Sequence, residues 1–232
     1  MIPDLHGYGG LLARGAALTL GVSALALVGV LVLGLALAIG RIWGGRLLRG
    51  VIGVYMTVVR GVPELVLLLL IYYGLPTLVQ DAAGAMGHDM RLALNPFLAG
   101  VATLTMIYGA FACEVYRAAY LAVPAGQTEA AQALGLPPRV AFLKVILPQM
   151  MRLALPGLGN VWMVLVKATS LISLIQLPEL MRNADIAART TREPFTFFLL
   201  ACLVYLAITL VSMVVQSRLE RRAARGLVGG RA

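Results

Sequence analysis

A few ionisable side chains stand inside or beside long apolar runs, where a charge is costly and is by default a sign of function. Glu64 follows Arg60-Gly61-Val62-Pro63 and precedes Leu65-Val66-Leu67-Leu68. A carboxylate there favours a cation, and two are open: Arg60, one helical turn back, or a cationic solute following a path across the membrane. Lys167 lies in Leu165-Val166-Lys167-Ala168, and Asn160, Lys167 and Ser170 fall within about 80° of one another on a helical wheel, forming one polar stripe. Lys167 either bonds helix ends or another span's carboxylate, or it receives the carboxylate of a substrate. Glu114 is that other carboxylate or the partner of Arg117, and both readings stay open. Other chemistries lack their residues. His6 and His88 are the only histidines and Cys113 and Cys202 the only cysteines, so neither a Cys/His metal site nor a nucleophile-and-base constellation can be assembled. No Gly-x-x-x-x-Gly-Lys-Ser/Thr loop occurs, so the chain does not supply ATP chemistry itself.

These residues must be positioned by a membrane protein. Hydrophobic types make up 60% of the 232 residues and charged types 12%, with a mean hydropathy of +0.90. A soluble domain runs near 45–50% apolar and about 25% charged, so this chain lacks the charge to cover a water-facing surface. Disorder, a collagen-like repeat and a disulfide scaffold are excluded by the high hydrophobicity, the lack of a glycine period and the scarcity of cysteine. The net charge of +9 would suggest a nucleic-acid binder in a soluble chain. Here the cations lie between apolar runs and read as orientation signals, with no nucleic-acid partner.

About 20 apolar residues cross roughly 30 Å of hydrocarbon as a helix. Residues 15–40 are charge-free between Arg14 and Arg41. A second block, 51–80, is interrupted by Arg60, Pro63 and Glu64, so this span is broken or begins amphipathic. Further spans are read at 92–113, starting close to Asn95-Pro96, at 153–177 with Lys167 inside, and at 194–217. The predicted fold is an all-α membrane protein of five transmembrane helices, a single transmembrane domain over residues 1–232. Met1-Ile2-Pro3-Asp4 has no basic segment and the first apolar run exceeds a signal-peptide core, so span one is expected to stay in the mature protein. Lys and Arg counts assign the sides. One side holds Arg41, Arg46, Arg49, Arg60, Arg117, Arg139, Lys144, Arg152 and the tail residues Arg218, Arg221, Arg222, Arg225 and Arg231. The other holds Arg14, Arg91, Arg182, Arg189 and Arg192. This predicts the N-terminus outside, the C-terminus in the cytoplasm, and a cytoplasmic loop over residues 117–152. The methionines and the aromatic residues near span ends read as packing and interfacial anchors.

That loop contains Val123-Pro-Ala-Gly-Gln-Thr-Glu129-Ala130-Ala131-Gln-Ala-Leu-Gly135-Leu-Pro137-Pro138. Pro124 suits a first turn, the alanines favour helix, Gly135 is placed for a left-handed cap and Pro137-Pro138 prevents continuation. The helix expected over about 125–135 is roughly 15 Å long, too short to span, and its small side chains suit it to a groove on another protein. Glu129-Ala130-Ala131, Gly135 after three residues and Ile146-Leu147-Pro148 resemble the cytoplasmic hallmark of permease subunits of ATP-binding-cassette (ABC) importers. Val145 replaces the Ile of that pattern.

The likeness covers nearly the whole chain and is closest to the polar amino-acid branch. Arg60-Gly61-Val62-Pro63, Tyr72-Tyr73-Gly74-Leu75-Pro76, Ile107-Tyr108-Gly109-Ala110, the stretch Glu114–Gln127, Leu155-Pro156-Gly157, Lys167-Ala168-Thr169-Ser170-Leu171 and Leu219-Glu220-Arg221-Arg222 are all similar to it. Most of the branch has Leu and a later Gln where this chain has Glu64 and Leu67; the acidic residue is closer to the Q-type subunits of histidine, lysine-arginine-ornithine and opine permeases. The resemblance implies a type I ABC importer permease fold in a bacterial inner membrane. It implies no cofactor in this chain, with ATP and Mg bound by two partner ATPase subunits, and a periplasmic substrate-binding protein. It also implies a second homologous permease subunit, non-identical rather than a second copy. Glu129, Ala130, Ala131 and Gly135 would contact the ATPase, and Glu64, Lys167, Asn160 and Ser170 are candidates for the path of a cationic amino acid. An ion-coupled secondary transporter of amino acids is the alternative, but it would show an inverted repeat and a second interrupted helix, and no convincing repeat is found.

Overall fold

The computed structural model describes residues 5–88 and 92–224; Asp4, Asp89, Arg91, Arg225 and Arg231 lie outside the described residues. Five helical stretches are long and apolar enough to cross a membrane: Gly9–Trp43, Glu64–Ala85, Pro96–Leu121, Pro138–Ile175 and Pro194–Ala223. The first is α1 (Gly9–Trp43), whose 35 residues make a rod of about 52 Å. Its buried stripe is mostly small, with Gly15, Thr19, Ser23, Ala26, Gly34 and Ala38. Gly15 and Thr19 meet the segment 179–183, and most of the rest of α1's inner face packs along α5 (Pro96–Leu121), the most buried of the crossing helices. A Cβ on Gly34 would stand 2.6 Å from that of Ala112, and one on Gly109 would stand 2.8 Å from Leu33 Cδ2. Glycine therefore sets how closely the two backbones approach. Between helices in lipid, such packing replaces the hydrophobic driving force. Asn95 starts α5 by accepting the Phe97 and Leu98 amides at 2.9 and 3.3 Å, with Pro96 at the first helical position. The charge-free run stops at Cys113, but the helix continues to Leu121, since a charge limits a membrane span and not a helix, and Glu114 pairs with Arg41 and Arg117.

Prolines shape the second and fourth crossings. The block at 51–80 is divided between α2 (Arg46–Gly61), an amphipathic helix burying Ile52, Met56 and Val59, and α3 (Glu64–Leu69). Between them Val62 and Pro63 are extended, with ψ of 137° and 135°, since the Pro63 ring excludes its predecessor from helical geometry. A π turn at Leu70–Gly74 joins α3 to α4 (Leu75–Ala85). After α6 (Ala125–Ala133), the fourth crossing assembles from α7 (Pro138–Ala141), a second π turn at Phe142–Ile146, α8 (Leu147–Ala168) and a 3-10 turn at Thr169–Ile175. Each π turn stands just before a proline, Pro76 or Pro148. The proline ring clashes with the carbonyl four residues back, Tyr72 or Lys144, and the wider turn moves that carbonyl aside.

Glu179 ties the remaining elements together. It caps α9 (Leu180–Thr191) and is 1% exposed. Its Oε1 accepts from the Arg182 amide at 2.7 Å. Its Oε2 accepts from the Met181 amide at 2.8 Å, the Tyr205 hydroxyl at 3.2 Å and the Thr19 hydroxyl at 3.3 Å. Thr19 belongs to α1 and Tyr205 to α10 (Pro194–Ala224), so one carboxylate joins three helices. Burial pushes its pKa above the ordinary 4.5, and the four hydrogen bonds pull the other way without cancelling the shift. A raised native pKa means that the folded state binds the proton more readily than the unfolded chain. Wild-type thermal stability in detergent is therefore expected to fall relative to Glu179→Gln as pH rises from 4.5 through the raised value; a relative gain would refute this. Glu179→Ala, which orphans these donors, is expected to cost on the order of 3 kcal/mol in the same unfolding measurement.

Candidate functional site

Two groups of side chains carry the features that the sequence singles out, and α6 is the first. The chain leaves α5 at Ala122, turns through Pro124 and forms nine helical residues. The helix stops at Gly135, whose φ is +69°. The Gly135 amide donates to the Gln132 carbonyl at 2.8 Å and the Leu136 amide to the Ala131 carbonyl at 3.1 Å, the paired bonds of a glycine-terminated helix. Nothing lies within 4 Å of the position a Cβ would take on Gly135, so its constraint is conformational rather than steric. Ala131 is buried, whereas Glu129 and Ala130 are exposed, as is Leu134 at 80%. α6 packs on the π turn that follows α7 in the fourth crossing, and Gln149 Nε2 reaches back to Gln127 Oε1 at 3.1 Å. Glu129 neither caps α6 nor pairs with a described residue. The hallmark thus divides into one alanine that seats the helix and a carboxylate and an alanine that face outward.

The second group surrounds the break at Val62-Pro63. Glu64 is the first residue of α3 and is half-buried. The Tyr108 hydroxyl lies 2.9 and 3.0 Å from its two oxygens, as donor to the carboxylate. Arg60 does not pair with Glu64: the extended dipeptide between them destroys the i, i+4 geometry, and the guanidinium instead stands 5.4 Å from the centre of the Phe111 ring. Beside the break a cavity of about 540 Å3 is lined by Arg41, Thr57, Arg60, Phe111 and Glu114 among others. Glu114 accepts from Arg41 and, at 2.8 and 2.9 Å, from Arg117, which decides between the partners open to it in the sequence. Lys167 is therefore not its partner. Lys167 is exposed in the last turn of α8 and forms no ion pair with a described residue. Asn160 is exposed and Ser170 half-buried, its hydroxyl donating to the Lys167 carbonyl at 2.8 Å. Glu64 and Lys167 are not brought into an ion pair with each other. Tyr108 is the residue that charge patterning misses, since a phenol in an apolar run carries no signal of its partner 44 positions away. Among the described residues no three His, Cys, Asp or Glu side chains gather as a metal-binding group.

Residues 16–225 match the family model described as binding-protein-dependent transport system inner membrane component. The chain belongs to this family. Among its relatives, the histidine/lysine/arginine/ornithine transport system permease protein HisQ of Escherichia coli (strain K12) is 40% identical over 223 residues, covering 96% of this chain and 97% of that protein. The nopaline transport system permease protein NocQ of Agrobacterium fabrum is 42% identical over 225 residues, covering 95% of this chain and 94% of NocQ. A crystal structure of an amino acid ABC transporter with histidines superposes with a TM-score of 0.81 at 32% identity, covering 96% of this chain and 100% of that one. As a member of the family, the protein is a multi-pass inner-membrane permease subunit without catalytic chemistry of its own, ATP hydrolysis falling to a partner ATPase. It works with ATP-binding subunits and a substrate-binding protein.

Gly135→Ala places a Cβ in a left-handed conformation, at a cost of about 1–2 kcal/mol. Hydrogen exchange of the Gly135 and Leu136 amides is expected to accelerate about five- to thirtyfold while the five crossings stay protected. Unchanged exchange would show that the glycine does not hold the helix end.

Proposed function

We propose that this permease is half of the membrane path of an ATP-driven importer of cationic amino acids such as histidine, arginine, lysine, ornithine or opines. Its N-terminus is external, its C-terminus and α6 are cytoplasmic, and α6 is the coupling helix. The second half is a similar, non-identical permease subunit. Two ATPase subunits bind ATP and Mg beneath the pair, and a periplasmic binding protein delivers the solute above it.

α6 is the observation that carries this reading. Most of its residues are exposed, Ala131 is buried, its end is fixed, and the helix packs on the π turn leading into α8. A push on α6 is thus delivered to the helix that holds Asn160 and Lys167. The ATPase needs only to favour one of two permease conformations. Moving such an equilibrium from 1:99 to 99:1 takes about 5.5 kcal/mol of differential binding.

Glu64 supports the cationic class. Its two oxygens meet a neutral phenol rather than a cation, so its charge stays available to a guanidinium, ammonium or imidazolium group of a passing amino acid. Lys167, Asn160 and Ser170 form the complementary surface, with Lys167 suited to the substrate carboxylate. The names of HisQ and NocQ point to the same class.

Proteoliposomes holding the whole complex test both parts. Gly135→Arg is expected to insert normally and to abolish ATPase association or ATP-driven uptake; normal transport by this variant would remove the coupling role from α6. In the wild type, arginine and histidine are expected to compete with uptake better than glutamate and glutamine. The reverse order would remove the role given to Glu64.

A further inference from the structure

A groove of about 780 Å3 runs between α1, α8 and α10 and shares no lining residue with the Arg41–Glu114 cavity. Its walls are hydrocarbon, from Leu27 and Leu31 of α1, Leu155 and Leu158 of α8, and Val211 and Leu219 of α10. The polar groups that reach it are already bonded. Trp162 Nε1–H donates to Ser212 Oγ at 2.9 Å, and the Ser212 hydroxyl donates to the Ile208 carbonyl at 2.8 Å. Gln216 Nε2 donates to Glu220 Oε1 at 2.7 Å and to the Pro156 carbonyl at 3.3 Å. A zwitterionic amino acid would find no partner there, whereas an alkyl chain needs none. From Met151 to Trp162 the α8 wall is about 16 Å long, close to half of the roughly 30 Å hydrocarbon core. The groove therefore has the depth of one leaflet.

One end of it is basic. Trp162 meets Ser212, and Gly159 meets Gln216 so closely that a Cβ there would overlap the Gln216 amide group. These contacts fix an antiparallel register between α8 and α10. Continued along both helices, it sets Leu155 level with Leu219 and Arg152 level with Arg222. Arg152 shares a helix face with Leu155 and Gly159, and Arg218 and Arg222 share one with Val215 and Leu219. All three arginines are exposed, and none has a hydrogen bond or ion pair with a described residue.

We propose that this groove binds an anionic diacyl phospholipid, one acyl chain lying along Trp162 and the phosphate held by Arg152, Arg218 and Arg222. An apolar trough one leaflet deep, with unpaired arginines continuing its α8 and α10 walls at one end, matches the two chemistries of such a lipid. A transmembrane helix of another subunit would cover the hydrocarbon and leave the arginines without a counter-charge.

The test uses the assembled transporter in phosphatidylcholine bilayers doped with acyl-brominated lipid. Its readout is the quenched tryptophan emission that disappears in Trp162→Phe. Brominated phosphatidylglycerol is expected to reach half-maximal quenching at a mole fraction at least fivefold below that of brominated phosphatidylcholine. Each Arg→Gln change at 152, 218 or 222 should erode the preference by up to about fivefold, and the triple variant should abolish it. Ala207→Phe, which fills the groove and keeps the arginines, should lower quenching by phosphatidylglycerol. Excess inorganic phosphate should displace nothing. Equal quenching by the two lipids would reduce the groove to ordinary lipid contact and overturn the proposal. Absence of quenching by either would mean that a protein segment covers it, and would overturn the proposal equally. The wild-type comparison decides even if a variant fails to assemble.

Discussion

A helix surrounded by hydrocarbon has to satisfy its own amides and carbonyls, and every departure from α geometry in this permease is arranged around that demand. Pro76 and Pro148 remove amides and displace carbonyls, and each displacement is absorbed by a π turn rather than a kink into lipid. Side chains then bond the carbonyls of the irregular turns. The Thr77 hydroxyl donates to Gly74 O at 2.7 Å, and Gln149 Nε2 donates to Val145 O at 2.8 Å. Along the 3-10 turn Thr169, Ser170 and Ser173 donate to the carbonyls three residues back, at 2.6, 2.8 and 2.7 Å. The hydroxyl-rich Thr169-Ser170-Leu171-Ile172-Ser173 stretch is thus a backbone device, whatever Ser170 also offers to a solute.

The irregular turns are also where the polar groups stand. Glu64 opens the helix that restarts after Pro63, Lys167 lies in the last turn before the 3-10 segment, and α6 rests on the π turn before Pro148. A regular helix projects each side chain in a direction fixed by its neighbours. A break releases that constraint, which is why Arg60 and Glu64, spaced for a pair, face Phe111 and Tyr108 instead. Non-helical backbone inside a membrane is tolerated where it lies within protein or lines a cavity. The break at Val62-Pro63 meets this condition, with Gly61 on the cavity wall.

What was legible in the sequence is what is local. Charge-free runs give the number of long apolar helices but not all their bounds, since the second begins at Glu64 rather than 51 and the fourth at Pro138 rather than 153. Pro124, the alanines, Gly135 and Pro137 define the short helix and its stop, because capping and proline exclusion depend on neighbours. The contact of Glu114 with Arg117, three positions away, was one of two readings open in the sequence, but the long-range polar contacts were not legible. Arg41 and Glu114 are 73 positions apart, Thr19 and Glu179 are 160 apart, and no periodicity links them. The separation of α2 from the second crossing could be sensed from Pro63 but not placed, since an amphipathic helix and a broken span share a pattern until packing chooses. The cap formed by Glu179 was not legible in Pro178-Glu179-Leu180, because glutamate is not a preferred N-cap residue, and neither was the burial that makes it a joint between three helices.

Three carboxylates outside α6 show how charge is distributed over function and stability. Glu114 lies between two guanidinium groups, so its field is cancelled where it arises. Glu179 is ringed by neutral donors and closed from solvent, so the desolvation of a further charge would oppose any cation that approached it. Glu64 alone combines partial exposure, a neutral donor and a local cation held away by an aromatic face. A guanidinium or ammonium group reaching Glu64 gains its attraction without first displacing an ion pair. The Tyr108 hydroxyl meanwhile holds the carboxylate in place, so less side-chain freedom is lost on binding. That difference in what each carboxylate has already spent is the physical reason that Glu64, rather than Glu114 or Glu179, is the one proposed to meet a cationic solute.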